Sequence, residues 1–113
     1  MLNKLFYNDT AGNTVYALVR DHDSGKIWNE DDGAWETYSA GNIGDYDIPL
    51  TEHGASGTFV LDVAAKSILD EFVDIEVRTQ AGGSPAESDT VIASGTFIIA
   101  NGQAAPYQSV NMR

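Results

Sequence analysis

The stretch "FVDIEVRT", residues 72–79, constrains the fold most, because it changes character at every step: Val73, Ile75 and Val77 fall on one side, Asp74, Glu76 and Arg78 on the other. A helix would scatter these residues around its circumference. A strand sends successive side chains to opposite faces, so a sheet with one dry and one wet face sorts them. The same period recurs elsewhere. "TVYALVRD" sets Val15, Ala17 and Val19 against Tyr16, Leu18 and Arg20, and "TFVLDV" places Phe59, Leu61 and Val63 on one face. "DYDIPL" reads as a strand with Tyr46, Ile48 and Leu50 opposed to Asp45, Asp47 and Pro49, the proline suiting a sheet edge. "KIWN" and "AWETY" are short strands, and "TVIASGTFII" is a long one whose Gly95 signals a bulge or bend. Between these runs "DSGK", "EDDG", "SAGNIG", "EHGASG" and "QAGGSPAESD" supply turn residues at the spacing of an all-β antiparallel sandwich.

One segment departs from this pattern. In "AAKSILDE" and the residue after it, Ala65, Ile68, Leu69 and Phe72 fit a short helical stripe, so a single helical turn is expected over one end of the sandwich. The ends, "MLNKLFYNDTAG" and "ANGQAAPYQSVNMR", show no sustained alternation. The expected organisation is one domain of usual size, with an arm over residues 1–12, a sandwich over 13–102 and a tail over 103–113.

Charge narrows the partners. Seventeen acidic residues against six basic ones give a formal net charge of −11, which repels phosphate backbones and speaks against nucleic acid as a ligand. The acids are dispersed in ones and twos, the pattern of a solvated outer face. No apolar run approaches the ~18 residues of a membrane span, and no signal-peptide pattern is expected at the N-terminus. The absence of cysteine excludes disulfides, thiolate zinc sites and cysteine nucleophiles.

The most acidic stretch, "DHDSGKIWNEDDGAW", raises a metal question. Asp21, Asp23, Asn29 and Asp32 occupy positions 1, 3, 9 and 12 of a calcium-loop frame. The turn-forming glycine, however, is Gly25 at position 5, and the cationic Lys26 takes position 6, so the register is broken. The reading is therefore a hairpin corner with no cofactor, and calcium is the alternative. Catalysis has little to stand on: His22 and His53 lie in no nucleophile motif, Asp45 and Asp47 have no evident cleft, and "AGGSP" is followed neither by lysine nor by a helix pattern. A non-enzymatic protein is expected. Trp28 and Trp35 read as core anchors, but Trp35, Tyr38 and Tyr46, if exposed together, would form a platform for a sugar ring.

The order of residues carries a resemblance. "GKIWN", then Trp35 and Tyr38, then "IPLTEHGASG" followed by an aromatic one residue later, then Ser84, Pro85 and Ala86 before the last long strand, resemble small immunoglobulin-like β-sandwich modules found among tailed-bacteriophage virion proteins. The resemblance spans roughly residues 13–102, while "AAKSILDEF" departs from the shorter Pro and Gly turn of those modules. It implies an immunoglobulin-like antiparallel β-sandwich with at most one short helical turn. It also implies a non-catalytic structural role in a virion, as a capsid decoration, neck, tail or fibre-associated subunit. Partners would then be other virion proteins or copies of the chain itself. The alternative function is a module that binds carbohydrate or a cell surface, such as a host surface glycan, through exposed aromatics and loops. Assembly contacts are expected at Ile98, Ile99 and Tyr107, because "TVIASGTFII" is long and uncharged and must lie inside its sheet or be covered by a neighbour or by the tail.

Overall fold

A computed structural model describes residues 3–63 and 72–106 of the chain. The chain is an all-β sandwich of two antiparallel sheets. Its strands are β1 (Lys4–Asn8), β2 (Val15–Asp21), β3 (Ile27–Asn29), β4 (Ala34–Glu36), β5 (Ile48–Pro49), β6 (Thr51–Glu52), β7 (Thr58–Asp62), β8 (Phe72–Thr79), β9 (Thr90–Ala100) and β10 (Gln103–Pro106). The larger sheet runs β10-β9-β8-β2-β3-β4, with β5 also paired to β2, and the smaller runs β1-β7-β6. The far side of β2 is thus divided, Tyr16 and Ala17 facing Pro49 and Ile48 while Arg20 faces Ile27.

The alternating residues form the core. Val15, Ala17, Val19, Val73, Ile75 and Val77 from the large sheet meet Leu5, Phe59, Leu61 and Val63 from the small one. Parity alone puts them there, since β2 and β8 pair in a register that sets Ala17 opposite Val77 and Val19 opposite Ile75. Gly95 does not interrupt β9. The irregularity comes a few residues earlier, where Val77 faces Ala93 but Arg78 faces Val91, leaving Ile92 as the extra residue of a bulge.

Four expectations are corrected. Residues read as an N-terminal arm contain β1, a full strand of the small sheet, in which Leu5 is buried and Tyr7 half-buried. Residues 103–106, read as tail, form β10 on β9 through the two-residue turn Asn101–Gly102, both with positive φ (55° and 72°). That is the backbone of a type I′ hairpin, which asparagine and glycine accommodate best. The strand expected over "DYDIPL" starts later. Residues Ala40–Asn42 form a 3-10 turn and Ile43–Tyr46 a short α-helix, α1, before β5. Ile43 and Tyr46, three apart and so on one helical face, both bury against the outer face of β2. Consequently β2 is not half wet: Tyr16 and Leu18 pack with Ile27, Ile43 and Tyr46 in a second apolar cluster. The helical turn expected within 65–72 lies mostly outside the described residues.

Candidate interaction surfaces

The acidic corner is two corners. In the first, the Asp21 and Lys26 backbones close a tight turn, with Gly25 at φ 74°. The Asp21 carboxylate accepts from the Ser24 hydroxyl at 2.6 Å and from its amide at 3.3 Å. The Ser24 hydroxyl is the main reason the Asp21 carboxyl titrates below the usual range. In the second, at the other end of β3, the buried Asn29 donates to Asp32 and to Glu36 and accepts from the Asp32 amide. Asp21 and Asp23 therefore sit at one turn, Asn29 and Asp32 at another, and the four do not converge. No cluster of three or more potential metal-ligating side chains occurs among the described residues.

Around the second turn like charges crowd. Asp45 in α1 has its pKa raised, chiefly by a hydrogen bond shared with the Asp31 carboxyl, and Asp47 by burial together with the charges of Asp31, Glu30 and Asp45.

The three rings of the sugar platform do not share a surface. Trp35 pairs across the β3–β4 hairpin with Trp28 at 5.3 Å, edge to face, and both half-buried indoles pack on the inter-sheet core. Tyr38 packs instead on the second cluster, with the Arg20 guanidinium 4.9 Å from its ring centroid and its hydroxyl donating to Glu87. Tyr46 is fully buried, donating to Glu36 and accepting from the Ser39 amide. Helical winding of 43–46 turned this ring inward, where an extended strand would have left its orientation to alternation alone.

A buried polar hub pins the Ser-Pro-Ala loop to the large sheet. Asp89 accepts from the Tyr16 hydroxyl at 2.6 Å, the Ala86 amide at 2.9 Å and the Ala81 amide at 3.1 Å. Arg78, on the supposedly wet face of β8, is buried as well; it donates to the Glu87 carbonyl at 2.9 Å and pairs with Glu76 at 2.6 Å. The bond from Tyr16 leads the causes that hold the Asp89 carboxyl below its usual pKa, and burial first, then the Asp89 bond, raises that of Tyr16. Every group here has a partner, so the hub reads as architecture.

Of the expected contact residues, Ile98 is 45% exposed on the outer face of β9, whereas Ile99 is 1% exposed and belongs to the core. Ile99 is therefore removed from the contact surface: successive residues of a strand face opposite ways, and only one of the two can face out. Tyr107 lies outside the described residues. β9 itself lies inside its sheet, flanked by β8 and by β10.

The edge that sequence reasoning missed is β1. At its ends Val63 donates to the Asn3 carbonyl (3.0 Å) and Asp9 to the Gly57 carbonyl (2.9 Å). Bonded pairs alternate along an antiparallel ladder, so Leu5 and Tyr7 also bond to β7, and the backbone groups of Lys4, Phe6 and Asn8 point away from β7, to a side where β1 meets no other strand among the described residues. Phe6, at 62%, is the most exposed large apolar side chain among the described residues. Beside it an apolar groove of ≈ 320 Å³ is lined by Lys4, Leu5, Phe6, Tyr7 and Phe97 of β9. Burial pushes the Tyr7 hydroxyl up to about 12. The signal was present as Leu5 and Tyr7 alternating with Lys4, Phe6 and Asn8, but it spans only five residues.

Comparison with protein-family models, with curated proteins and with solved structures finds no match to this chain.

Proposed function

We propose that this protein is a non-catalytic structural module of a tailed-bacteriophage virion, working in multiple copies through its sheet edges. The observation that carries this reading is the β1 edge, where outward-facing backbone groups, an exposed Phe6 and an apolar groove lie together on a chain otherwise covered in acidic side chains. Unpaired strand edges are templates for pairing with another chain, and proteins that do not use them guard them with charge, proline or bulges. Here Lys4 is the only charged residue of the strand. The residues that resemble phage immunoglobulin-like modules support the virion setting, and the separation of Trp35, Tyr38 and Tyr46 weighs against the sugar-platform alternative.

The test is to purify particles from a host that carries the coding sequence, quantify the protein by mass spectrometry and reconstruct the particle. Ordered copies in fixed ratio to the major capsid or tail protein are expected. Absence from particles, together with retention on a polysaccharide column, would replace this reading with the glycan-binding one.

A further inference from the structure

We infer that β1 pairs with β1 of a second copy, antiparallel about a two-fold axis at Phe6, so that two small sheets join into one six-stranded sheet. The inference deepens the multi-copy reading above by naming the edge and its occupant. It begins from backbone parity. Lys4, Phe6 and Asn8 present their N–H and C=O groups outward, and in an antiparallel ladder outward-facing residues must meet outward-facing residues. A two-fold centred on Phe6 sets Phe6 opposite Phe6, and Lys4 of each copy opposite Asn8 of the other. It is the register that overlaps the whole of Lys4–Asn8, giving three bonded pairs and about six hydrogen bonds. Such an interface is isologous, closing at two copies without exposing a new edge.

Charge selects the same occupant. The chain carries −11, so most of its faces repel a second copy, but β1 from Lys4 to Asn8 contains no carboxylate. Centred on Phe6, its one ammonium faces a neutral amide; centred on Lys4, two ammonium groups would face each other, which is destabilising for directly opposed residues. Side chains fit as well. On the outer face the two exposed Phe6 rings become cross-strand neighbours, and on the inner face Leu5 of each copy comes opposite Tyr7 of the other, extending the apolar wall of the groove that Phe97 closes.

The experiment is sedimentation velocity on the full chain from ~10 μM to ~1 mM, a range chosen because small strand-edge contacts belong to the weak, transient class, with hydrogen exchange at both ends of the range. The wild type is expected to dimerise, and the Lys4, Phe6 and Asn8 amides to gain protection with concentration. Phe6→Glu should weaken the dimer at least ~10-fold, about 1.4 kcal/mol. Asn8→Lys should also weaken it by opposing two ammonium groups, whereas Asn8→Glu should strengthen it by setting a carboxylate opposite each Lys4; Phe6 and Asn8 are both exposed, so folding is expected to survive. A wild type that stays monomeric at ~1 mM, a dimer indifferent to these changes, or protection of the three amides while the protein sediments as a monomer would each overturn the inference. Ordered copies in particles with a monomer in solution would leave the virion reading standing and this one refuted; a Phe6-dependent dimer absent from particles would do the reverse.

Discussion

Replacing Asp89 with alanine should be among the most damaging single changes in this protein, although Asp89 lies just after a loop of small residues. Its carboxylate is the common acceptor of the Tyr16 phenol and the Ala81 and Ala86 amides, in a site where Tyr16 is 1% and Asp89 6% exposed. A hydrogen bond to a charged acceptor contributes about 1.5–3 kcal/mol, and a buried donor left unpaired costs about 1–3 kcal/mol. The three bonds share one acceptor and are not additive, and the Ala81 and Ala86 amides sit in a loop that water can reach. Asp89→Ala should therefore cost about 3–5 kcal/mol, the loss of the charged-acceptor bond from Tyr16 together with the unpaired buried hydroxyl it leaves, out of a total of about 5–15 kcal/mol. At about 4 °C per kcal/mol the melting temperature should fall by about 12–20 °C. Tyr16→Phe should cost less, about 1–2 kcal/mol, since the carboxylate keeps two amide donors. The double mutant should show a coupling of about 1–2 kcal/mol.

The pH dependence supplies a second check. The Asp89 pKa is lowered in the folded state, so its contribution is present above the unfolded value of about 3.9 and is lost as pH falls through the folded one. Urea denaturation from neutral pH down to about pH 2 should thus show the gap between wild type and Asp89→Ala closing below about pH 4. A neutral-pH cost below about 1 kcal/mol, or a gap that does not narrow in acid, would refute the hub.

Gly57 adopts φ +79°, and a Cβ there would lie 2.6 Å from the Asp9 carbonyl oxygen, so Gly57→Ala should destabilise by about 2–4 kcal/mol in urea titrations. Because that carbonyl sits just beyond β1, exchange protection should fall first at the Asp9 amide. Asp45→Asn should raise the melting temperature at neutral pH: the raised pKa of Asp45 means its charge opposes folding above the usual carboxylate range, and the gain should vanish as pH falls below it. Millimolar calcium should shift the melting temperature no more than a non-binding divalent salt of equal ionic strength, since Asp21 and Asp23 are separated from Asn29 and Asp32 by the length of β3. A saturable rise abolished by Asp21→Asn and Asp23→Asn would contradict this.

What the sequence determined by itself is local. The period of two in Val73, Ile75 and Val77, in Phe59, Leu61 and Val63, and in Val15, Ala17 and Val19 marked the strands and the inner face, because strand geometry sorts side chains residue by residue without reference to a partner. The Asp21–Lys26 turn was equally legible, since Ser24 and Gly25 suit a tight reversal wherever it occurs. The Asn101–Gly102 dipeptide has an intrinsic preference for a tight hairpin, but sequence reasoning missed it: with alternation lost after it, residues 103–106 read as tail and β10 went unseen. Tertiary structure alone decided the rest. Whether the second face of β2 is wet depends on Ile43 and Tyr46 folding back across it, and whether Arg78 is exposed depends on a loop about ten residues further along being tied down by Asp89. That β9 is interior and β1 an edge depends on β10 pairing with β9 while no described strand pairs with the outer side of β1. Alternation states that a strand has two faces and two edges; what lies against them is set by contacts between distant segments, whose closure entropy and packing no short window of sequence contains.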